Sequence, residues 1–406
     1  MFVRRVLLGL GGLSLAALVF IAGYAAYPLL HGGGLLSLPG SSLPDAAGDA
    51  QMAKYWQVMD LLDRDFFGEK PPAQARTDGA IKGMVESFGD PYTFFVEPQA
   101  RELERDQLAG MFGGVGANLQ QTPDGYLLAP LPGQPAAAAG IQEGDLLVAV
   151  DATPVDAAMS VDELLALIRG PVGTEVTLRV RRGQEELSFT ITRAEIQTPS
   201  IEWRLLESEA GGDPAGGVGY LRQTIFSERS PLEMDAAVAE LREQGALRFV
   251  WDLRGNPGGL LSAAVAQSDM WLDEGVIVVE ERAGGLRKTF EATSGELAAG
   301  APLVLLVDGG SASASEIVAG ALHEHGRARL VGQQTYGKGS VQLIHELADQ
   351  SSLHVTNAQW YTAGGQQISG QGLTPDIVVA EGDDALAVAL AALPGVQEAN
   401  LRNSAP

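Results

Sequence analysis

From about Pro199 to Val379 the chain alternates short apolar strands with amphipathic crossovers, and no other feature restricts its fold as strongly. "GGVGYLRQ" is followed by "PLEMDAAVAELREQGA", and "LRFVWDLRGNPGG" by "LLSAAVAQSDMWL". "APLVLLVDGG" then leads into a helix of small residues and "RARLVGQQT". Strands that read as nearly unbroken apolar runs need cover on both faces, and the crossovers supply it. The alternation therefore implies an α/β layer architecture for this region.

Inside it, "GGSASASEIVAG" (309–320) sets three serines at every second position and an acid after the last. Two readings are open on these residues alone. Ser313-Ala-Ser-Glu316 fits a capping box, in which the serine accepts from a first-turn amide and Glu316 reaches back. The other reading is a nucleophile, which near neutral pH requires a base. The chain has no cysteine, which excludes disulfides, thiolate attack and Cys-ligated zinc. Of the five histidines, His31 lies beside an N-terminal tether, and His323 and His325 are too far past the serine helix start to face its first turn. Two positions apart on a helix, they also share no face for a metal. His345 and His354 leave a Ser–His pair open, without a supporting motif.

Lysine offers more. "TYGKGSVQL" (335–343) sets Lys338 between two glycines directly ahead of an apolar strand. Ser340 does not complete a phosphate-binding loop, which needs an earlier glycine and a following helix. Burial can lower a lysine pKa by several units from about 10.4, so that the neutral amine serves as a base. Strand periodicity puts Gln342 on the same face as Lys338, where its amide can orient the amine.

The stretch from about 107 to 196 has a β-rich rhythm. "GVGANLQQ" and "GYLLAPL" read as short strands, "EGDLLVAVDATPV" (143–155) as a buried strand, "SVDELLALIRG" (160–170) as a helix with an acidic first turn, and "TEVTLRVRRGQEELSFTITR" (174–193) as a hairpin. "GQPAAAAGIQEGDLLVAVDATPV" and "FGGVG" (112–116) resemble a PDZ domain. The resemblance implies capture of a peptide C-terminus by the backbone amides of Gly113, Gly114, Val115 and Gly116.

"GSASASE…TYGKGSVQ" resembles the catalytic pair of the carboxy-terminal processing peptidases, also called tail-specific proteases. "GAIKGMVESFGDPYTFF" (79–95), "DLRGNPGG" (252–259) and "GQGLTPDIVV" (370–379) are similar to other parts of that family. The resemblance implies Ser313 as nucleophile, Lys338 as base and Gln342 as its support, with Ser311 and Ser315 structural. It implies oxyanion donors at the Ala314 and Gly258 amides, with Glu316 as cap. Arg169, at the end of the PDZ helix, is either a coupling residue between PDZ and peptidase units or an ordinary helix-terminal arginine. The implied fold is an α/β peptidase core of ClpP/crotonase-like layers with an inserted β-rich PDZ domain, an N-terminal helical segment and an N-terminal membrane anchor. The implied activity is serine endopeptidase, without metal or other cofactor, on polypeptides with free C-termini. A non-catalytic PDZ adaptor and an acyl-thioester enzyme of related architecture are the alternatives.

The N-terminus bears on location. Arg4 and Arg5 precede an uncharged, mostly apolar run from Val6 to Leu30, long enough to span a bilayer, and no lysine or arginine follows until Lys54. The expectation is a membrane anchor with the remainder extracytoplasmic, or a cleaved signal and secretion. A balance of 27 basic against 51 acidic residues, net −24, argues against a nucleic-acid partner. A second copy of the chain and an adaptor protein stay open as partners. The expected divisions are 1–30 anchor, 31–50 linker, 51–106 helical segment, 107–196 PDZ, 197–381 peptidase and 382–406 helix and tail.

Overall fold

The computed structural model describes residues 46–206, 217–293, 297 and 300–393, with side chains from residue 51. The expected anchor (1–30), most of the linker and the tail after 393 lie outside the described residues. Among the described residues, no helix is long and apolar enough to cross a membrane. The chain divides into two compact units at Arg76/Thr77.

The first unit contributes the helix Ala46–Asp65. It begins inside the stretch expected as linker, because the start signal Pro44-Asp45 and three early alanines outweigh the single Gly48. Arg76 closes back on Asp63 at 2.6 Å.

In the second unit, the helix Pro98–Ala109 starts on a proline and ends at Gly110 in the left-handed conformation. A two-stranded antiparallel neck, Met111–Gly114 on Ala194–Gln197, then carries the chain into and out of a β-barrel-like module. That module is a six-stranded antiparallel sheet spanning Ala117 to Thr192. The helix Val161–Ile168 is fastened by a reciprocal Ser160–Glu163 capping box. Tyr126, Leu128, Leu147, Leu164, Leu178 and Val180 fill its core.

The peptidase-like region is built on a six-stranded sheet. Its order is Ile201–Leu206, Gly217–Gln223, Ala246–Asp252, Leu303–Val307, Arg329–Gly332 and Ile377–Val378. The first pair is antiparallel and the rest are parallel. Helices Ser230–Glu243, Leu261–Asp269 and Ala314–Glu324 pack on one face, where Leu221, Phe249, Trp251 and Leu305 point. The helix Ala385–Ala392 covers Val218, Val250, Val304 and Leu306 on the other. Every residue of Leu303–Val307 is buried, as the two-sided cover requires.

The single α/β layer expected up to Val379 is in fact two sheets. Gly275–Arg282, Leu286–Ala292, Ser340–Glu346 and Ser352–Tyr361 join Phe94–Val96 in a separate five-stranded antiparallel sheet. Gly275–Arg282 returns into Leu286–Ala292, and Ser340–Glu346 into Ser352–Tyr361, through short turns that make antiparallel hairpins, and Ser352–Tyr361 then pairs with Gly275–Arg282 and Phe94–Val96 from distant parts of the chain. The loops after Ala246–Asp252 and Leu303–Val307 leave the carboxyl ends of parallel strands, where open α/β sheets place their sites.

Candidate active site

The two loops are tied to each other before any reactive group appears. Asp308 Oδ1 accepts from the N–H groups of Gly255 and Gly310, both at 2.9 Å. Buried Ser311 donates to the Leu253 carbonyl at 2.8 Å and accepts from the Asp308 N–H at 3.0 Å. Ser315 donates to the Asn256 carbonyl at 2.9 Å. The Ala312 N–H reaches that same carbonyl at 3.0 Å. The outer two serines are thus spent on holding the loops together. Asp252, fully buried, anchors the first loop through Arg254 at 2.6 Å and the Tyr220 hydroxyl at 2.7 Å.

Ser313 sits between them at φ 54°, ψ −111°, immediately ahead of the helix Ala314–Glu324. A non-glycine residue at positive φ costs on the order of 1–3 kcal/mol, and such strain concentrates at functional sites. The Glu316 half of the expected capping box forms, with Oε2 accepting from the Ser313 N–H at 2.9 Å. That carboxylate does more than cap. Oε2 also accepts from the Lys338 N–H at 2.9 Å, and Oε1 accepts from Gly337 N–H at 2.7 Å and from the Thr335 hydroxyl at 2.6 Å. One fully buried carboxylate therefore clasps the backbones of both Ser313 and Lys338.

Lys338 lies two residues ahead of the strand Ser340–Glu346, which carries Gln342 just past a register shift at Val341/Gln342. The irregular backbone and not a simple strand period brings the pair together, with the lysine Nζ donating to Gln342 Oε1 at 2.8 Å. The Lys338 carbonyl accepts from Trp360 Nε1 at 3.0 Å. Burial pushes the Lys338 ammonium below the ordinary lysine range, and the charge of Glu104 works against that shift. Ser313, Ala314, Gly258, Lys338 and Gln342 all line one cavity of about 320 Å³. Its apolar wall includes Leu108, Ile225, Leu260, Ile317 and Val341.

The oxyanion expectation needs a correction. The Ala314 N–H, at the first helical position, has no partner among the described residues. The Gly258 N–H is instead turned to Asn256 Oδ1 at 2.9 Å. The amide of Asn256 cannot be reversed to release it, because its Nδ2 donates to the Gln223 carbonyl at 3.0 Å. Gly258 serves the site by having no side chain. At φ 107°, a Cβ there would lie 2.8 Å from the Cβ of Ser313 and 3.0 Å from the Ala314 nitrogen.

Glu104 at this cavity and Tyr92 beside Lys338 were not singled out from the sequence, while His354, left open there as a partner for the serine, does line the cavity. Glu104 enters it from the helix Pro98–Ala109, and His354 from the second sheet, its Nε2 3.1 Å from Glu104 Oε2 and its ring stacked on Phe94. Tyr92 places its ring centroid 5.3 Å from Lys338 Nζ. Glu104 lies in no quoted motif, and although Tyr92 falls within "GDPYTFF" and His354 is one of five histidines, nothing local ties either of them to Lys338.

The PDZ-like module presents a second cavity of about 470 Å³, lined by Phe112, Val115, Gly116, Leu119, Leu165 and Ile168 among others. The four-residue amide cradle expected there is divided. Gly113 and Gly114 belong to the neck strand, and the Gly113 carbonyl accepts from Gly170 N–H at 3.1 Å. A Cβ on Gly113 would meet the Gly170 carbonyl at 2.0 Å, so close approach is what selects that glycine. The amides of Val115 and Gly116 remain without a partner among the described residues. Arg169 ends the module's helix, with its guanidinium 4.0 Å from the Phe112 ring centroid and 4.0 Å from Asp106 Oδ2. Asp106 lies on the same helix that carries Glu104 into the first cavity.

Residues 217–379 match the model of peptidase family S41, and residues 127–182 match a PDZ domain. The carboxy-terminal processing protease CtpA of Bacillus subtilis (strain 168) is 33% identical over 336 residues, covering 82% of this chain and 70% of that protein. The carboxyl-terminal-processing protease of Synechocystis sp. (strain PCC 6803) is 38% identical over 305 residues, covering 74% and 70%. Among solved structures, the photosystem II D1 C-terminal processing protease aligns with a TM-score of 0.46 at 29% identity, covering 82% of this chain and 88% of that one. The strained serine, the half-buried lysine and the PDZ module thus sit within an alignment that spans most of the sequence, and the chain belongs to the carboxy-terminal processing proteases, serine peptidases of family S41.

Proposed function

We propose that the chain cleaves peptide bonds by acyl transfer with Ser313 as nucleophile and Lys338 as base. The observation that carries this reading is the shared cavity. It holds a half-buried lysine whose partial burial favours the neutral amine and a serine strained at a helix start, both clasped by Glu316. Lys338 takes the Ser313 proton, and the alkoxide adds to the substrate carbonyl. The oxyanion develops against the Ala314 N–H at the positive end of the helix. The C–N bond then breaks as Lys338 returns the proton to the leaving amine. Water, deprotonated by Lys338, attacks the acyl-enzyme, and collapse of that adduct restores the Ser313 hydroxyl. Gly258 leaves room for the substrate backbone at the attacked carbon.

In the same reading, the apolar groove takes the last side chains of a polypeptide, with its terminal carboxylate on the Val115 and Gly116 amides. Arg169 links that groove to the helix bearing Asp106 and Glu104, a route by which occupancy can reach the cleft. The apolar run at 6–30 supports a membrane-anchored enzyme acting outside the cytoplasm. A serine-reactive fluorophosphonate tests the chemistry. Labelling of the full chain should map to Ser313 and vanish in Ser313→Ala and in Lys338→Ala. Undiminished labelling of Ser313→Ala would remove the serine from the mechanism.

A further inference from the structure

The segment Gly89–Phe95 has no part in the chemistry above, yet it reaches the base. Asp90 folds it into a tight turn: Oδ1 accepts from the Tyr92 N–H at 3.2 Å and Oδ2 from the Thr93 hydroxyl at 2.6 Å. Thr93 Oγ1 in turn accepts from the Thr356 N–H at 3.1 Å. Directly beyond, Phe94–Val96 pairs with Ser352–His354. The turn is therefore pinned to the strand Ser352–Tyr361, which also pairs with the strand bearing Gln342, in the register Gln342↔Thr356. Both attachments converge on Thr356. The result is that the Tyr92 carbonyl meets Gln342, whose Nε2 donates to it at 2.6 Å.

That contact decides which way the Gln342 amide faces. A carbonyl oxygen can only accept, so the nitrogen end of Gln342 must point at Tyr92 and the oxygen end is left for Lys338 Nζ. Were the amide reversed, its NH₂ would face the amine, and its oxygen would face the Tyr92 oxygen. The Tyr92 ring meanwhile covers Lys338, its centroid 5.3 Å from the lysine Nζ. We propose that the Asp90–Thr93 turn is a positioning element for the catalytic base. Through the Tyr92 carbonyl it orients Gln342 so that one N–H of Lys338 is committed and the amine is held toward Ser313. The inference rests on the Ser313–Lys338 reading.

A double-mutant cycle tests it on the full chain. Asp90→Ala releases the turn, and Thr93→Val releases it independently by removing the hydroxyl shared with Asp90 and Thr356. Each should lower kcat by about tenfold or more with KM changed less than about twofold, since small misplacements at a reacting centre are costly. In a Gln342→Ala background the same changes should have almost no further effect, because the turn acts only through Gln342. The acid limb of the kcat/KM profile gives a second readout. Lys338 is faced by Glu104 from its helix, His354 and Tyr92 from the second sheet and its turn, and Glu316 from the serine helix. None of these is altered in the variants. Freeing Gln342 lets water reach the amine and favours the ammonium, so the limb should move to higher pH. Thermal unfolding identifies any variant that has simply lost its fold, and the Thr93→Val arm stands if Asp90→Ala fails. Equal losses in both backgrounds, or a lower kcat with an unmoved limb, overturn the inference. Activity surviving in Ser313→Ala would overturn the dyad first, and the two failures are thereby distinguished.

Discussion

The catalytic cleft and the groove of the PDZ module are cavities of similar size, furnished in opposite ways. In the cleft the groups that set the geometry are committed: Glu316 holds the amides of Ser313, Gly337 and Lys338, Gln342 joins Lys338 to Tyr92, and Ser311 and Ser315 tie the loops. In the groove the walls are apolar and the Val115 and Gly116 amides have no partner among the described residues. A reaction needs groups that cannot move away from one geometry, and neighbours enforce that by consuming their alternatives. Recognition of varied chain ends needs groups left unspent, because their partner arrives with the ligand. Damage to the cleft should therefore be nearly all-or-none, and damage to the groove graded.

The largest effect should follow from removing the proposed reacting groups. Ser313→Ala and Lys338→Ala should each lower kcat/KM on an unfolded substrate by about 10⁴-fold or more, the scale seen when members of a catalytic set are deleted. Their melting temperatures should stay close to the parent's. Ser311→Ala and Ser315→Ala provide the contrast, keeping activity within about tenfold while losing about 1–2 kcal/mol of stability as buried hydrogen bonds disappear. Steady-state kinetics beside thermal melts read both, and a dead but fully stable Ser311→Ala would break the assignment of roles among the three serines.

Next comes Glu316→Ala. It leaves the buried Gly337 amide and the part-buried amides of Ser313 and Lys338 without their acceptor, and should cost about 3 kcal/mol or more in urea unfolding, together with most activity. Activity retained in a stable Glu316→Ala protein would mean that the clasp between the two backbones is dispensable.

The groove gives the smallest effect. Amidating the C-terminus of a peptide substrate should lower kcat/KM by roughly five- to hundredfold, equivalent to about 1–3 kcal/mol for donors left poorly paired. With a net charge of −24 the protein offers anionic tails no general attraction, so the loss should be local to the amides. Matched acid and amide peptides, assayed well below saturation, measure it. Equal turnover would sharpen the contrast further, assigning the groove to side-chain recognition alone.

Much of this was legible before folding. Alternating apolar runs determine which segments are strands and which helices. Lys338 does meet Gln342 as expected, though across a strand start and a register shift and not along one regular strand. Cap chemistry marked Glu316 as reaching back to Ser313, and it does. Other readings failed because their cause was not local. Gly258 looked like an oxyanion donor until Asn256, itself oriented by Gln223, took its N–H. Gly113 and Gly114 looked like a cradle until Ala194–Gln197 paired with them as a strand.

By itself, then, the sequence determined the layer pattern, the serine at a helix start and the lysine ahead of a strand, since these depend on backbone preference and periodicity over a few residues. Tertiary structure alone decided which groups those residues meet. Tyr92 reaches Gln342 across 250 positions only because two stretches of chain, Phe94–Val96 and Ser340–Glu346, pair with the same strand in fixed register. Glu104 and His354 arrive at the cavity by packing of elements that carry no sign of each other. Register and packing are properties of the whole fold, and a shift of one residue would turn those side chains to the opposite face.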